Sequence, residues 1–156
     1  MKSPYVDGSV VDGVVGLLTV ESGGARNAMT VSCFSELAHH PTALWVSVAN
    51  DSHTHALLSA GGTFSLSLLA ADQGGVARAC GAVSGRERDK CAGLALYAPR
   101  PAFWFLRGAL TGTACRVYEQ IPVGDHTIFL GEILFGEFDS RRKFRRHLLI
   151  ADLQAS

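Results

Sequence analysis

The strongest constraint on the fold is a long β-hairpin in the last third of the 156-residue chain. Residues 106–120 and 126–138 are rich in apolar and β-branched residues, and residues 121–125 between them include Pro122 and Gly124, which favour a turn. Alternate residues of the second arm point to opposite faces, and both faces are mostly apolar. We therefore expect both to be covered, one by the core and the other by a second subunit.

The remaining sequence predicts further strands with short helices inserted between them. We expect strands at residues 9–20, 29–34, 43–50 and 63–69, and short helices at residues 56–60, 72–80 and 84–93. Residues 38–41 and 97–101 read as irregular connections. Because neither an internal repeat nor a strict alternation of strands and helices is visible, the pattern favours a β-barrel with helical insertions and one domain, residues 1–156.

Composition excludes several classes of partner. Lys plus Arg equal Asp plus Glu at 14 each, so no overall field attracts nucleic acid or an acidic membrane surface. The N-terminus lacks a signal sequence and the apolar runs are too short to span a bilayer, which predicts a cytoplasmic protein. The four cysteines form no Cys-x-x-Cys pair and sit among apolar or small neighbours, as buried, reduced thiols would.

One strand is predicted to run directly into a helix start. Asn50, Asp51 and Ser52 are good N-caps after the apolar run 43–49, and Gly61-Gly62 would end the helix. The open N–H groups of such a start attract an anion, and the hydroxyls of Ser52 and Thr54 would add donors. Taken alone, the pattern fits an ordinary capped helix better than an anion site.

Histidines in the same region do not indicate a metal. His53 and His55 are two residues apart and would point to different faces of a helix, and neither they nor His39-His40 have a cluster of Cys, Asp or Glu at ligand spacing. We therefore predict no metal site. Gly-x-Gly-x-x-Gly and Walker patterns are also absent, which argues against a dedicated NAD(P)-binding domain.

Several segments together resemble one known family. They are Asn27-Ala28-Met29-Thr30-Val31-Ser32, the strand at 41–50 running into Ser52-His53-Thr54, residues 59–69, Asp89-Lys90, residues 110–117, and Gly124-Asp125-His126 followed by residues 128–132. In this order and spacing they resemble the flavin reductase family. These FMN-binding split barrels include reductase components of two-component monooxygenases and flavoredoxins.

The resemblance implies a mostly β, Greek-key split barrel with two or three short inserted helices. It further implies a homodimer with the flavin near the subunit interface and NADH or NADPH as hydride donor, the nicotinamide nucleotide binding weakly over the flavin. FMN would be preferred and FAD possible, with reduced flavin or electrons passing to a partner oxygenase or another acceptor. Two alternatives stay open: a module that binds flavin or haem without hydride transfer, and a reductase of ferric chelates or another small acceptor with tightly held FMN.

The resemblance also implies roles for individual residues. The flavin would be lined by Asn27, Met29, Thr30, Val31 and Ser32, approached closely by the backbone of Val48 and Ala49, held at its phosphate by Ser52, His53 and Thr54, and flanked by the cations Arg86 and Lys90. His126 would lie near the nicotinamide, where an imidazole can orient the carboxamide or offer a proton.

Four of these residues have simpler alternatives. Thr30 and Ser32 could bond locally within a strand, Arg86 could be solvated, and His126 could bond to Asp125 in the turn while still serving the nicotinamide. The family commonly places an aromatic residue after the Asp-Lys or Asp-Arg step, where this chain has a cysteine at position 91.

Overall fold

The computed structural model describes residues 12–154, and it confirms the mostly β fold with short inserted helices. The strands are β1 (Gly16–Ser22), β2 (Ala25–Val31), β3 (Phe34–His39), β4 (Thr42–Ala49), β5 (Thr63–Leu68), β6 (Leu96–Arg100), β7 (Phe103–Leu106), β8 (Thr111–Val123) and β9 (His126–Phe138). The helices are α1 (His53–Gly61), α2 (Gly74–Gly81) and α3 (Ile150–Gln154), with short 3₁₀ turns at Ala71–Gln73 and Arg142–Phe144.

Seven strands form one antiparallel sheet in the order β2-β1-β5-β8-β9-β4-β3. Strands β2 and β3 lie at opposite edges of this sheet, although only two residues join them. A flat sheet would separate the edges by roughly 29 Å, whereas such a link spans at most about 11 Å. The sheet therefore curls until its edges approach each other, which produces a barrel split between β2 and β3.

The core consists of two apolar clusters. The barrel interior is filled by Leu18, Val20, Val46, Val48, Phe64, Phe129 and their neighbours, while a second cluster under α2 includes Leu17, Leu69, Ala77, Cys80, Cys91, Leu106 and Leu148. Gly131 of β9 is required by this packing, because a Cβ there would lie 2.7 Å from the ring of Phe64. Cys80, Cys91 and Cys115 are buried free thiols as predicted, but Cys33 is exposed.

Strands β6 and β7 form a separate two-stranded sheet that packs on the barrel. Side-chain hydroxyls of the barrel bond to the backbone of this small sheet. Ser65 and Ser67 of β5 accept hydrogen bonds from the Trp104 and Leu106 N–H groups, at 3.2 and 3.1 Å. The Thr19 hydroxyl donates to the Trp104 carbonyl at 2.6 Å. The Phe105 ring lies on Gly112, where a Cβ would come within 2.5 Å of it.

The predicted hairpin is confirmed as β8 and β9, with Val123 opposite His126. Its first arm is shifted along the chain: it begins only at Thr111, because Leu106 belongs to β7 and residues 107–110 break the strand, and it continues to Val123 through residues that were predicted to form the connection. The second strand lies at Ala25–Val31, earlier than predicted, and β3 and β6 were not predicted. On β9, Phe129 is buried while Leu134 on the other face is 38% exposed.

The predicted helix at 84–93 is wrong. The segment forms turns, in which the Ser84 side chain accepts from the Arg86 N–H at 3.1 Å and the Asp89 carboxylate accepts from the Cys91 N–H at 2.9 Å. These local bonds replace the bonds that a helix would make, and the glycines at 85 and 93 weaken a helix further.

Within residues 12–154, every helix is too short or too polar to cross a bilayer.

Candidate functional site

Three residues separate the end of strand β4 from the first residue of helix α1, so the strand leads directly into a helix start, as predicted. Ser52 is its N-cap: the Ser52 hydroxyl accepts from the His55 N–H at 3.0 Å and donates to the Ala49 carbonyl at 2.8 Å. Gly62, in the left-handed conformation with φ of 71°, ends the helix and donates its N–H to the Leu58 carbonyl. The N-cap and the terminating glycine both come from the residues that the sequence indicated.

The start of α1 presents free hydrogen-bond donors. The N–H groups of His55 and Ala56 bond to Ser52, but within residues 12–154 no acceptor is paired with those of His53 and Thr54. The buried Thr54 hydroxyl accepts from the Asn27 amide at 2.9 Å, so its own proton remains available to an outside acceptor. Together with the positive end of the helix dipole, these groups favour an anion.

A cavity of about 280 Å³ opens at this helix start. Its walls come from β2, the beginning of α1, the end of α2 and the loop that follows α2. The lining residues are Asn27, Met29, Thr30, Asp51, Ser52, His53, Thr54, Cys80, Gly81, Val83, Ser84, Gly85 and Lys90. We call this space the α1 cavity.

Lys90 places a cation in the wall of the α1 cavity. Its side chain is 8% exposed, and Nζ donates to the Cys80 carbonyl at 2.9 Å, which leaves two ammonium protons for other acceptors. Burial lowers the pKa of Lys90, because desolvation penalises the charged form. Burial raises the pKa of the neighbouring Cys80 thiol, which therefore stays protonated near neutral pH.

The cavity brings together seven of the thirteen residues that the sequence nominated. Asn27, Met29, Thr30, Ser52, His53, Thr54 and Lys90 line it. The Thr30 hydroxyl donates to the Ala77 carbonyl of α2 at 2.5 Å, so it bonds to a neighbouring element and not within its strand, as its alternative had supposed.

The other six nominated residues lie outside the cavity wall. Val31 and Val48 bury their side chains in the barrel core, and Ser32 is exposed beyond the end of β2. The Ala49 carbonyl is occupied by Ser52. For Val48 and Ala49, only the backbone contact proposed for them remains open.

Arg86 and His126 lie near the helix start but not in the cavity. The Arg86 guanidinium donates to the Asp51 and Ser52 carbonyls, at 2.7 and 3.4 Å. Arg86 therefore stabilises the backbone just before α1 from outside the cavity. His126 pairs with Ala49 across β4 and β9, and its Nδ1 lies 2.8 Å from an Asp125 oxygen. This bond lowers the pKa of Asp125.

Sequence reasoning missed one whole wall of the cavity. Cys80, Gly81, Val83, Ser84 and Gly85 were not nominated, because part of this segment was predicted to be helical. Gly85 is the informative member, since a Cβ there would lie 2.1 Å from Oδ1 of Asn27. No local pattern marks this approach, which joins residues 58 positions apart.

The side chains of His53 and His55 point in different directions, as expected. His53 lines the cavity, whereas His55 turns towards Thr127 of β9. Across the part of the chain that the structure describes, no group of three or more His, Cys, Asp and Glu side chains is placed to hold a metal ion.

Comparison with known proteins identifies the family. Residues 9–152 match the family described as "Flavin reductase like domain". The chain belongs to this family. The resemblance expected from the sequence is confirmed.

Curated relatives of this family member include two from Streptomyces. The chain is 31% identical over 127 residues to an NADH-dependent FAD reductase from Streptomyces globisporus, covering 76% of this chain and 67% of that one. It is 29% identical over 120 residues to an actinorhodin polyketide dimerase from Streptomyces coelicolor, covering 76% and 66%. The chain thus spans about two thirds of the length of these relatives.

Solved structures share the split-barrel fold. An NADH:FAD oxidoreductase from Streptomyces globisporus C-1027, in complex with NAD and FAD fragments, superposes with a TM-score of 0.81 at 25% identity, covering 92% of this chain and 83% of that one. An FMN-binding protein from Thermus thermophilus gives 0.83 at 24% identity, covering 96% and 90%. The predicted fold class is therefore confirmed.

Proposed function

We propose that the protein is an NAD(P)H-dependent flavin reductase that uses FMN, or FAD, and delivers reduced flavin or electrons to a partner oxygenase or another acceptor. The observation that carries this proposal is the helix start of α1, whose free donors face a cavity in a member of the flavin reductase-like family. Relatives named as NADH-dependent flavin or FAD reductases support the choice of reaction.

The residues of the α1 cavity fit a flavin phosphate. The His53 and Thr54 N–H groups, the Thr54 hydroxyl and the Lys90 ammonium are all donors, which is the set that a phosphate group requires. Asn27 orients the Thr54 hydroxyl by donating to its oxygen. When bound, the flavin supplies the redox chemistry, accepting two electrons from the nicotinamide nucleotide and passing them on.

The chain itself contributes binding and orientation. Met29 and Thr30 form the wall of the cavity next to the phosphate donors, so they are placed to contact the flavin ring. His126 is half-exposed at the start of β9 and is proposed to orient the nicotinamide carboxamide or to offer a proton. Catalysis by such a site is mainly a matter of positioning the two rings.

We also propose that the protein is a homodimer. Apolar side chains are exposed at the end of β8 and along β9, with Val123 53%, Leu134 38% and Phe138 66% exposed. A second subunit that covers these side chains would remove apolar surface from water. The dimer would also cover the face of β9 that the barrel leaves open.

The deciding experiment is an anaerobic absorbance spectrum of the purified protein with FMN, recorded before and after NADH and then NADPH. We expect shifted flavin bands that bleach at a saturable rate. Shifted bands that stay oxidised would point to a flavin-binding module without hydride transfer. Unshifted bands would contradict the flavin site.

The Ser52 hydroxyl, which we expected to be a phosphate donor, gives its only proton to the Ala49 carbonyl and instead caps the helix. The helix start can be tested by the double substitution Ser52→Ala, which removes the N-cap, and Thr54→Ala, which removes a phosphate donor. Hydrogen bonds to a charged group contribute about 1.5–3 kcal/mol, so we expect FMN affinity to fall roughly 10- to 100-fold. The matched control is the pair Ser35→Ala and Thr42→Ala on β3 and β4, away from α1. Unchanged affinity in the first double variant would count against the phosphate site.

The variant His126→Ala tests whether His126 contributes to turnover with the nicotinamide nucleotide or to flavin binding. In His126→Ala we expect kcat/KM for the nicotinamide nucleotide to fall about 10-fold or more, a typical loss for an acid–base or orienting group, while FMN affinity stays within about twofold. Steady-state kinetics and flavin fluorescence quenching measure the two constants. Loss of FMN affinity without loss of turnover would remove the proposed role.

A further inference from the structure

Asn50 joins the start of α1 to the turn of the β8–β9 hairpin. Its position before Asp51 and Ser52 made it a candidate N-cap, but Ser52 has that role and Asn50 reaches across to the turn. The Asn50 N–H donates to the Asp125 carbonyl at 2.9 Å, and its side-chain amide donates to the Gly124 carbonyl at 3.2 Å. Its Oδ1 accepts from the Thr127 hydroxyl at 2.7 Å.

The donors and acceptors in this link can be assigned without ambiguity. The Gly124 carbonyl can only accept, so the NH₂ group of Asn50 faces it and Oδ1 faces Thr127. Thr127 must therefore give its single hydroxyl proton to Asn50. His55 Nε2 lies 3.0 Å from the same hydroxyl oxygen and must be the donor there. The link thus requires His55 to carry its proton on Nε2.

The link is protected from water at its centre. Thr127 is 5% exposed, and the His55 ring packs edge-on against Phe129 with ring centres 5.3 Å apart. In contrast, the neighbouring turn is exposed, with 95% of the Asp125 side chain and 45% of the His126 side chain in solvent. A buried anchor therefore holds an exposed turn.

We propose that Asn50, Thr127 and His55 are positioning residues, which fix the turn carrying His126 relative to the helix start of α1. This inference rests on the proposed function, in which the phosphate binds at the helix start and the nicotinamide beside the turn. Reacting rings must be held within a few tenths of an ångström, and a displacement of about 1 Å can cost on the order of 100-fold in rate.

The test replaces the central hydroxyl. Thr127→Val keeps the shape and the strand preference of the residue but removes both hydrogen bonds. We expect the KM for NADH to rise about 5- to 10-fold through the loosened turn. We expect the FMN dissociation constant to change less than about twofold, since the Ser52 cap and the Asn27–Thr54 bond are untouched.

Two further variants separate positioning from general stability. Thr127→Ser restores the hydroxyl and should return the KM for NADH to within about twofold of wild type. Thr19→Val removes an equally buried threonine hydroxyl, 2% exposed and bonded to the Trp104 carbonyl, and should leave both constants unchanged. If Thr127→Val and Thr19→Val had the same KM for NADH and the same FMN dissociation constant, the proposal would be overturned.

A second readout needs neither flavin nor a variant. Nitrogen-15 NMR of the His55 ring, recorded well above the imidazole pKa, should show the proton on Nε2. A proton on Nδ1 would overturn the link directly, even if Thr127→Val failed to fold.

The outcomes also separate this inference from the proposed function. Wild-type protein that binds FMN but is not reduced by NADH or NADPH would overturn both. An active wild type whose Thr127→Val variant loses FMN affinity as much as NADH affinity would overturn only the positioning role, because the helix start would then have moved with the turn.

Discussion

Two clefts of nearly equal volume, about 280 and 270 Å³, differ in whether their polar groups already have partners within the protein. In the α1 cavity, donors at His53, Thr54 and Lys90 face open space. In the second, which we call the Tyr97 cleft, the Tyr97 hydroxyl donates to Glu137 at 2.5 Å and the Arg141 guanidinium lies 3.5 Å from the Asp139 carboxylate.

Cavity volume does not distinguish the two clefts, whereas the state of their polar groups does. Polar groups that satisfy one another, as in the Tyr97 cleft, give little to an incoming ligand, because every new bond requires an old one to break. The α1 cavity holds donors in place with their protons free, so a phosphate gains bonds without displacing protein partners. Substitutions in the two clefts should therefore have very different effects on flavin affinity.

We expect the largest loss of FMN affinity for Gly85→Ala, which narrows the α1 cavity at the loop after α2. The new Cβ would lie 2.1 Å from Oδ1 of Asn27, so the Asn27 side chain must move and leave Thr54. Losing both space and an oriented donor should weaken FMN binding on the order of 30-fold or more in a fluorescence titration.

The matched control for this substitution is Gly93→Ala in the same loop region, where a Cβ meets nothing within 4 Å. It should leave the affinity unchanged. Equal affinities for the Gly85→Ala and Gly93→Ala variants would mean that the flavin binds elsewhere.

Lys90→Met should have a smaller effect. Removing the ammonium group while keeping an apolar side chain of similar length should lower FMN affinity about 10-fold, as for a charge-assisted bond. Because burial lowers the pKa of Lys90, wild-type affinity should decline with rising pH before the ordinary lysine value of 10.5 is reached. The variant should lack that decline.

Arg141→Met in the Tyr97 cleft is the counterpart of Lys90→Met. It removes a cation that is already paired with Asp139, and FMN affinity should not change. A comparable loss in both variants would show that net charge, and not the α1 cavity, governs binding.

Tyr97→Phe should likewise leave FMN affinity within about twofold, because it removes a bond remote from the α1 cavity. Burial, with the hydrogen bond to Glu137, raises the pKa of Tyr97 from 10.0 to about 12. The folded protein thus keeps a proton that the unfolded chain loses. This contribution to stability is complete below pH 10 and is lost as the pH rises towards 12.

Urea unfolding between pH 9 and about 11 measures this contribution. Wild type should lose stability over this range more steeply than Tyr97→Phe. Parallel curves would contradict the role of the Tyr97–Glu137 bond.

Local signals were sufficient for part of the fold. The β8–β9 hairpin and the step from β4 into α1 follow from turn residues, an N-cap and a terminating glycine, all of which act within a few positions of the sequence. Strand β3 was missed because its side chains alternate poorly between core and solvent, with Ser35, Glu36 and Leu37 all exposed. Strand β6 was missed because Pro99 and Pro101 suggested an irregular segment.

Part of the lining of the α1 cavity was predictable from the sequence, chiefly where one helix start positions the residues. Ser52, His53, Thr54 and Lys90 were nominated and line the α1 cavity. The roles of Asn50 and Gly85 depend on partners at Thr127 and Asn27, which only the folded barrel brings close. Sequence reasoning assigned Asn50 by its nearest neighbours, and its nearest neighbours were not its partners.

The attachment of the β6–β7 sheet has a consequence for local unfolding. Its backbone is joined to the barrel through the hydroxyls of Thr19, Ser65 and Ser67, and no backbone ladder crosses the boundary. The hairpin can therefore open without separating any pair of barrel strands, and opening would expose the buried Phe105 and Leu106 side chains and separate Phe103 and Phe105 from Phe135. The barrel and this hairpin are in that sense two cooperative units, held together by side chains and not by a continuous backbone ladder.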